Sequence, residues 1–172
     1  MRGIVIYDST YGNTKAISTA IADGLKESGV GADLVYVKDV KHINEIGYDF
    51  LIAGSPTKCG TMSFTMKRFL GRLKEKIWKD KPFAAYDTEN PENIVICETQ
   101  HKNYSAAEKI AIRLRDKQLR QMLPVFKARI SGWKGPLLRG ETERARAYAR
   151  VIAADLKGER IYAGKSPALA AG

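Results

Sequence analysis

Cysteine is almost absent, with Cys59 and Cys97 alone among 172 residues. Two thiols cannot build a disulfide framework or a four-thiolate zinc site, so reduced cysteines are the expectation, with a single Cys59–Cys97 bridge left open. Histidine is equally sparse. His42 falls in a polar connection and His101 in a stretch of ambiguous pattern, neither with partners at metal-ligand spacing, so no metal site is expected. Long apolar runs are missing as well: the uncharged stretches fall well short of the roughly 20 residues of a membrane helix, which excludes a spanning segment. The opening MRGIVIY meets Asp8 too soon to serve as the apolar core of a secretory signal, so a cytoplasmic location is expected. Internal repeats, low-complexity blocks and linkers long enough to divide the chain are absent too.

What remains is a chain of 19.1 kDa with 44% hydrophobic and 28% charged residues, enough apolar surface for one folded unit. We expect a single domain over residues 1–157 and a poorly packed C-terminal tail over residues 158–172. The 29 basic and 19 acidic residues leave a net charge of +10. Its distribution is lopsided: residues 1–60 carry 6 Lys/Arg against 7 Asp/Glu, whereas residues 61–172 carry 23 against 12. A surface for an anionic partner or a merely solvated face both fit such an excess. Trp78 and Trp133 stand among lysines and arginines, a setting in which aromatics stack on bases, but tryptophan more often closes a core edge and nucleic-acid binding is not expected.

Short apolar runs alternate with segments of helical period, the pattern of a parallel sheet built from strand–helix–strand units. Ile4–Tyr7 reads as the first strand. Ile17, Ala20, Ile21, Gly24 and Leu25 then form one helical stripe, which Gly29 ends. Leu34–Val37, Tyr48–Ala53, Pro82–Tyr86 and Pro124–Ile130 read as four further strands, the third nearly all apolar as befits a central position. Ser63 is placed to cap a helix carrying Met66 and Leu70, and Ser105 with Glu108 forms a capping box ahead of another. A last helix opens after Gly140 with Glu141 and Glu143 in its first turn, and Ala145, Tyr148, Ile152 and Leu156 form its stripe. Ile94–Cys97 reads equally as a short strand or as an apolar patch within a long loop.

Two polar loops carry the chemistry. Ser9-Thr10-Tyr11-Gly12-Asn13-Thr14 joins the first strand to an amphipathic helix, an arrangement that exposes backbone N–H groups at a helix N-terminus and attracts a phosphate. The spacing is that of neither a Walker loop nor a dinucleotide fingerprint. Ser55-Pro56-Thr57-Lys58-Cys59-Gly60 follows the central strand. Both loops belong at the carboxyl ends of adjacent parallel strands, where open α/β sheets bind ligands.

The pair of motifs, Ser9-x-x-Gly12-Asn13-Thr14 and Gly54-Ser55-Pro56-Thr57-x-x-Gly60-Thr61-Met62, resembles the phosphate loop and ring-binding loop of flavodoxin-like FMN proteins, the type example of that switch-point rule. The resemblance covers roughly residues 3–156. It implies an α/β three-layer sandwich with a five-stranded parallel sheet in the order 2-1-3-4-5 and helices on both faces. It implies a non-covalent FMN whose phosphate meets Ser9, Thr10, Tyr11, Gly12, Asn13 and Thr14. Ser55, Pro56, Thr57, Lys58, Cys59 and Gly60 would run beside the flavin ring, and Thr88, Glu89 and Asn90, just past the fourth strand, would form the third flavin loop. The chain departs from the family by offering Lys58-Cys59 and Glu89-Asn90-Pro91 where ring-stacking aromatics are common, and Tyr11 where threonine is usual.

The function so implied is electron transfer or flavin-dependent oxidoreduction, of a carrier or of a quinone-reductase or protoporphyrinogen-oxidase type, with no side chain as catalytic acid or nucleophile. Its alternative is a flavodoxin-fold binding or structural module with little or no flavin affinity. Partners are a redox protein or a small electron donor or acceptor, with peripheral contact to an anionic membrane compatible with the charge. Electron-shuttling flavodoxins are usually acidic, so the basic excess points to an acidic partner or anionic substrate. Lys67, Arg68, Arg72, Lys74, Lys76, Arg113, Arg115, Lys117 and Arg120 are its expected contacts.

Overall fold

The computed structural model describes residues 1–42, 45–91 and 105–159. Strand β1 (Arg2–Tyr7) leads into helix α1 (Asn13–Glu27), then β2 (Gly31–Tyr36), β3 (Phe50–Pro56), α2 (Phe64–Arg72), the single turn α3 (Glu75–Trp78) and β4 (Pro82–Glu89). Helix α4 (Ala106–Asp116), the short strands β5 (Arg120–Gln121) and β6 (Phe126–Arg129), and helix α5 (Glu141–Leu156) complete the order. All pairings are parallel, in the order β2-β1-β3-β4, with β5 and β6 both on the outer edge of β4.

That edge corrects the expectation of one fifth strand over Pro124–Ile130. Arg120 and Gln121 pair with the base of β4 at Pro82 and Phe83, and Phe126–Arg129 pair with its upper half at Tyr86–Glu89. Pro124, which has no N–H for the ladder, lies between the two pieces. The 2-1-3-4-5 order stands, with the fifth position filled by two short strands. Ile94–Cys97, Cys97, His101 and most of the expected tail lie outside the described residues.

The apolar pattern sorts onto two faces. Ile4, Ile6, Leu51, Phe83 and Ala85 meet α2 and α4 through Met66, Leu70, Ile110 and Leu114, with Trp78 sealed in the same cluster. Val5, Ile52, Ala84 and Tyr86 meet α1 and α5 through Ile17, Ile21, Ala149 and Ile152. Helices α1 and α5 pack closely because Gly24 has no side chain: a Cβ there would stand 2.8 Å from the Cβ of Ala149 and 2.9 Å from the Arg146 carbonyl.

Helix ends follow the residues expected to set them. The Ser63 hydroxyl accepts from Met66 N–H at 3.2 Å. Gly29, at φ +73°, closes α1 with Gly29 N–H to Lys26 O and Val30 N–H to Leu25 O, both 2.9 Å. At α4 only half of the expected box is used as such: Ser105 Oγ accepts from Glu108 N–H at 3.3 Å, while the Glu108 carboxylate pairs with Lys127 Nζ at 3.1 Å. Among the described residues no helix is long and apolar enough to cross a membrane.

Candidate functional site

The carboxyl ends of β1, β3 and β4 are tied together by the backbone. Asp8 N–H donates to Gly54 O at 3.0 Å, and Thr57 N–H donates to Thr88 O at 2.9 Å. These bonds bring the two motif loops side by side, as their places in the sequence predict.

The first loop is organised by Ser9. Its Oγ accepts from Gly12 N–H at 3.1 Å and from Lys15 N–H at 3.3 Å, leaving the hydroxyl hydrogen to donate elsewhere. Gly12 occupies the N-cap position of α1 at φ +88°, and no atom lies within 4 Å of where a Cβ would stand, so the backbone faces open space. The amides of Thr10, Tyr11, Asn13 and Thr14 make no hydrogen bond among the described residues. Four unused donors at the positive end of α1 form an anion-binding cradle. Two side chains of this loop face other duties. Thr14 is buried with its hydroxyl 2.8 Å from that of Thr88, so it offers its amide rather than its side chain, and Asn13 Nδ2 donates to Lys134 O at 2.8 Å.

In the second loop, buried Ser55 accepts from Ser63 N–H at 3.0 Å and donates to Pro56 O at 3.2 Å. Lys58 and Thr61 exchange both backbone hydrogen bonds, at 3.0 and 3.1 Å, around a two-residue turn in which Cys59 and Gly60 have φ of +47° and +66°. The amides of Cys59 and Gly60 are unused among the described residues. The Cys59 side chain is exposed at the tip as a free thiol. Lys58 Nζ reaches back to donate to Thr10 Oγ1 at 2.9 Å, joining the two loops.

The expected third loop needs correction. Thr88 and Glu89 lie within β4, because the Thr57 N–H bond to Thr88 O and the pairing of Thr88 and Glu89 with Ala128 and Arg129 extend the ladder past Tyr86. Only Asn90 follows the strand. The extension places a residue that periodicity does not single out: Asp87, fully buried, whose Oδ2 accepts from Thr57 Oγ1 and Ala107 N–H, both at 2.9 Å. Thr57 Oγ1 in turn accepts from Ala106 N–H at 2.8 Å, so the second loop and β4 jointly cap α4. Burial pushes the Asp87 carboxyl above its ordinary range, against the opposing pull of the Ala107 amide, the Ser105 and Thr57 hydroxyls and the Lys127 charge. Desolvation depresses Lys127, but the Glu108 hydrogen bond and the charges of Glu89, Glu108 and Asp87 outweigh it and raise its pKa. Asp87 Oδ1 is buried and has no hydrogen-bond partner. The signal for Asp87 was its charge at the end of an otherwise apolar strand; Lys134 was visible only as one of the basic residues around Trp133, which gave no hint of its contact with Asn13.

A loop of unused main-chain amides at a helix N-terminus and a second loop with unused amides lie together at the switch point of a doubly wound sheet, the place where α/β proteins of this class bind ligands. The residues fit a flavin mononucleotide in donor chemistry: main-chain amides for a phosphate in the first loop and for a polar ring edge in the second. The flavodoxin family model matches residues 5–95, more than half of the chain, and the chain belongs to that family. Family membership implies a flavin site. A flavodoxin of Aquifex aeolicus is 34% identical over 76 residues, covering 44% of this chain and 41% of that protein. An NAD(P)H dehydrogenase (quinone) of Archaeoglobus fulgidus is 31% identical over 105 residues, covering 46% and 54%. The chain spans about half the length of the curated relatives it matches. Among solved structures, a flavodoxin from the domain Archaea superposes with a TM-score of 0.74 at 23% identity, covering 91% of this chain and 99% of that one, which shows the shared fold.

Proposed function

We propose that this chain binds FMN non-covalently and transfers electrons through it. The observation that carries the reading is the set of unused main-chain amides, those of Thr10, Tyr11, Asn13 and Thr14 in one loop and of Cys59 and Gly60 in the next, at adjacent strand ends. In this reading the first four, with the Ser9 hydroxyl, hold the phosphate, and Gly12 keeps the approach clear. Ser55, Pro56, Thr57, Lys58, Cys59 and Gly60 border the ring, and the turn amides donate to its polar edge. Thr88 works from below by fixing the Thr14 hydroxyl, while Glu89, buried at the end of β4, and Asn90, just past it, complete that strand end. Bound there, FMN supplies one- and two-electron redox chemistry. The protein's part is to bind and orient it: amide donors neutralise phosphate charge without a desolvated cation, and the buried walls of β1, β3 and β4 exclude water from the inner side. No side chain is assigned an acid–base role.

The test is direct. Apoprotein supplemented with FMN and desalted should retain the yellow flavin absorbance at one equivalent per chain and show FMN binding by calorimetry; a colourless protein with no binding heat would leave a flavodoxin-fold module without cofactor. Similarity to the Archaeoglobus quinone dehydrogenase favours a second reading, direct two-electron transfer from NAD(P)H to a quinone. Steady NAD(P)H consumption with a quinone and no added reductase would select it over the carrier.

A further inference from the structure

The basic excess is not spread evenly over the helices expected to carry it. Three of the expected contacts are engaged: Arg115 bonds Gln121 Oε1 at 2.6 Å, Lys117 bonds the Leu73 carbonyl at 2.9 Å, and Arg120 pairs with Asp155 at 3.6 Å. Along α2 and α3 the cations are free. Lys67, Arg68, Arg72, Lys74, Lys76 and Lys79 are all exposed, and their side chains make no ion pair or hydrogen bond among the described residues. Residues 61–81 hold seven Lys/Arg against two Asp/Glu, and of the two acids Glu75 turns its carboxylate to Gln118 Nε2. The helical period sorts α2 into two faces. Met66 and Leu70 are buried in the core, whereas Phe64, Lys67, Arg68, Gly71 and Arg72 recur at three- and four-residue spacing on the solvent side and so are neighbours on one helix surface. Phe64, 77% exposed, opens this face directly after the second loop, where Ser55 Oγ accepts from Ser63 N–H at 3.0 Å. Ile46, 73% exposed, stands by its other end, because the neighbouring Glu45 carboxylate accepts from Lys74 N–H at 3.1 Å and from Trp78 Nε1 at 2.8 Å.

A convex strip of cations bracketed by two exposed apolar side chains has the composition of a helix that lies on a charged bilayer. The ammonium and guanidinium groups meet phosphate headgroups, and the apolar ends enter the acyl boundary. A nucleic-acid backbone would engage the cations and leave Phe64 and Ile46 in water, whereas a bilayer engages both. We infer that the exposed face of α2 and α3, between Phe64 and Ile46, binds the surface of an anionic phospholipid membrane. This binding needs no flavin, so its test is independent of the cofactor.

The experiment sediments the full chain with phosphatidylcholine vesicles prepared with and without phosphatidylglycerol. The protein should bind only the vesicles that contain phosphatidylglycerol, and binding should fall as salt is added. Each cation brought to such a surface strengthens binding about fivefold, so Lys67→Glu combined with Arg68→Glu should weaken it by about tenfold or more. Phe64→Ser should weaken it severalfold and keep the salt dependence of wild type. Lys26→Glu combined with Lys157→Glu makes the same change of charge at exposed positions at the ends of α1 and α5, the helices on the opposite side of the sheet. That control should leave binding within about twofold, because screening confines the attraction to the near face. Matching circular dichroism shows that each variant keeps its fold. Absence of binding to either vesicle, equal binding to both, or equal losses from the two charge reversals would overturn the assignment. So would retention by duplex DNA or by an acidic ferredoxin that depends on Lys67 and Arg68 and occurs in place of vesicle binding.

Discussion

Gly54 lies where the fold and the candidate site share one residue, and replacing it with alanine tests both. The added Cβ would stand 2.0 Å from Cζ of Tyr86, the cross-strand neighbour of Gly54. That ring has no exposed surface, and its hydroxyl is held 2.6 Å from Ser18 Oγ. Ser18 Oγ donates in turn to Thr14 O, in the first turn of α1 under the phosphate loop. To reach ordinary contact the ring must shift by more than an ångström, on the order of 1–3 kcal/mol of overpacking. Losing the Tyr86–Ser18 hydrogen bond adds about 1 kcal/mol. Gly54→Ala should therefore lose roughly 2–4 kcal/mol in urea denaturation. The disturbed support of Thr14 should also weaken FMN binding by about tenfold, or ~1.4 kcal/mol. Gly3→Ala is the matched control, since its Cβ would meet the Phe50 ring at 2.0 Å but at the opposite end of β1. It should cost similar stability and leave FMN affinity unchanged. A Gly54→Ala protein within ~0.5 kcal/mol of wild type, or one whose FMN affinity moves no more than that of Gly3→Ala, would refute the reasoning.

Three other substitutions probe separate parts of the account. At Gly71, on the exposed face of α2, a Cβ meets nothing within 4 Å, so Gly71→Ala should raise stability by about 0.5–1 kcal/mol, and a drop in urea midpoint would contradict this. Glu141 is fully buried between Arg129 Nε at 3.0 Å and Arg144 Nη1 at 2.6 Å; because both arginines are partly hydrated, Glu141→Ala should cost about 1–3 kcal/mol, less than a fully buried pair would, by equilibrium denaturation. The Asp87 carboxyl has its pKa raised by burial, so the native state holds a proton that the unfolded state releases at lower pH. The associated stability is complete below the ordinary carboxylate range and is lost as pH rises through the native value. Melting temperatures against pH should thus show wild type gaining on Asp87→Asn as the solution is acidified, and a constant or opposite difference would reject the assignment.

The frame of the fold is legible in the residues because its signals are local. The stripe of α1, the glycine closing it and the serine caps of α2 and α4 each act over a few residues. The two loops were visible for the same reason: small polar residues interrupt the pattern between an apolar run and a helix. What periodicity could not show depends on partners far along the chain. Strand β4 continues to Glu89 because Thr57, Ala128 and Arg129 are there to pair with it. The fifth position splits because β4 takes up Arg120 and Phe126 at different heights. Asp87 gains its place from Thr57 and from α4, and Lys134 from Asn13, 121 positions away.

The central claim is that main-chain amides of the Ser9–Thr14 loop grip a phosphate. Calorimetric titration of apoprotein with FMN and, separately, with riboflavin isolates that group, because the two ligands differ only by it. Several charge-assisted amide bonds should make FMN bind on the order of a hundredfold or more tighter, with one FMN per chain. Equal affinity for the two flavins, or heat from neither, would contradict the account.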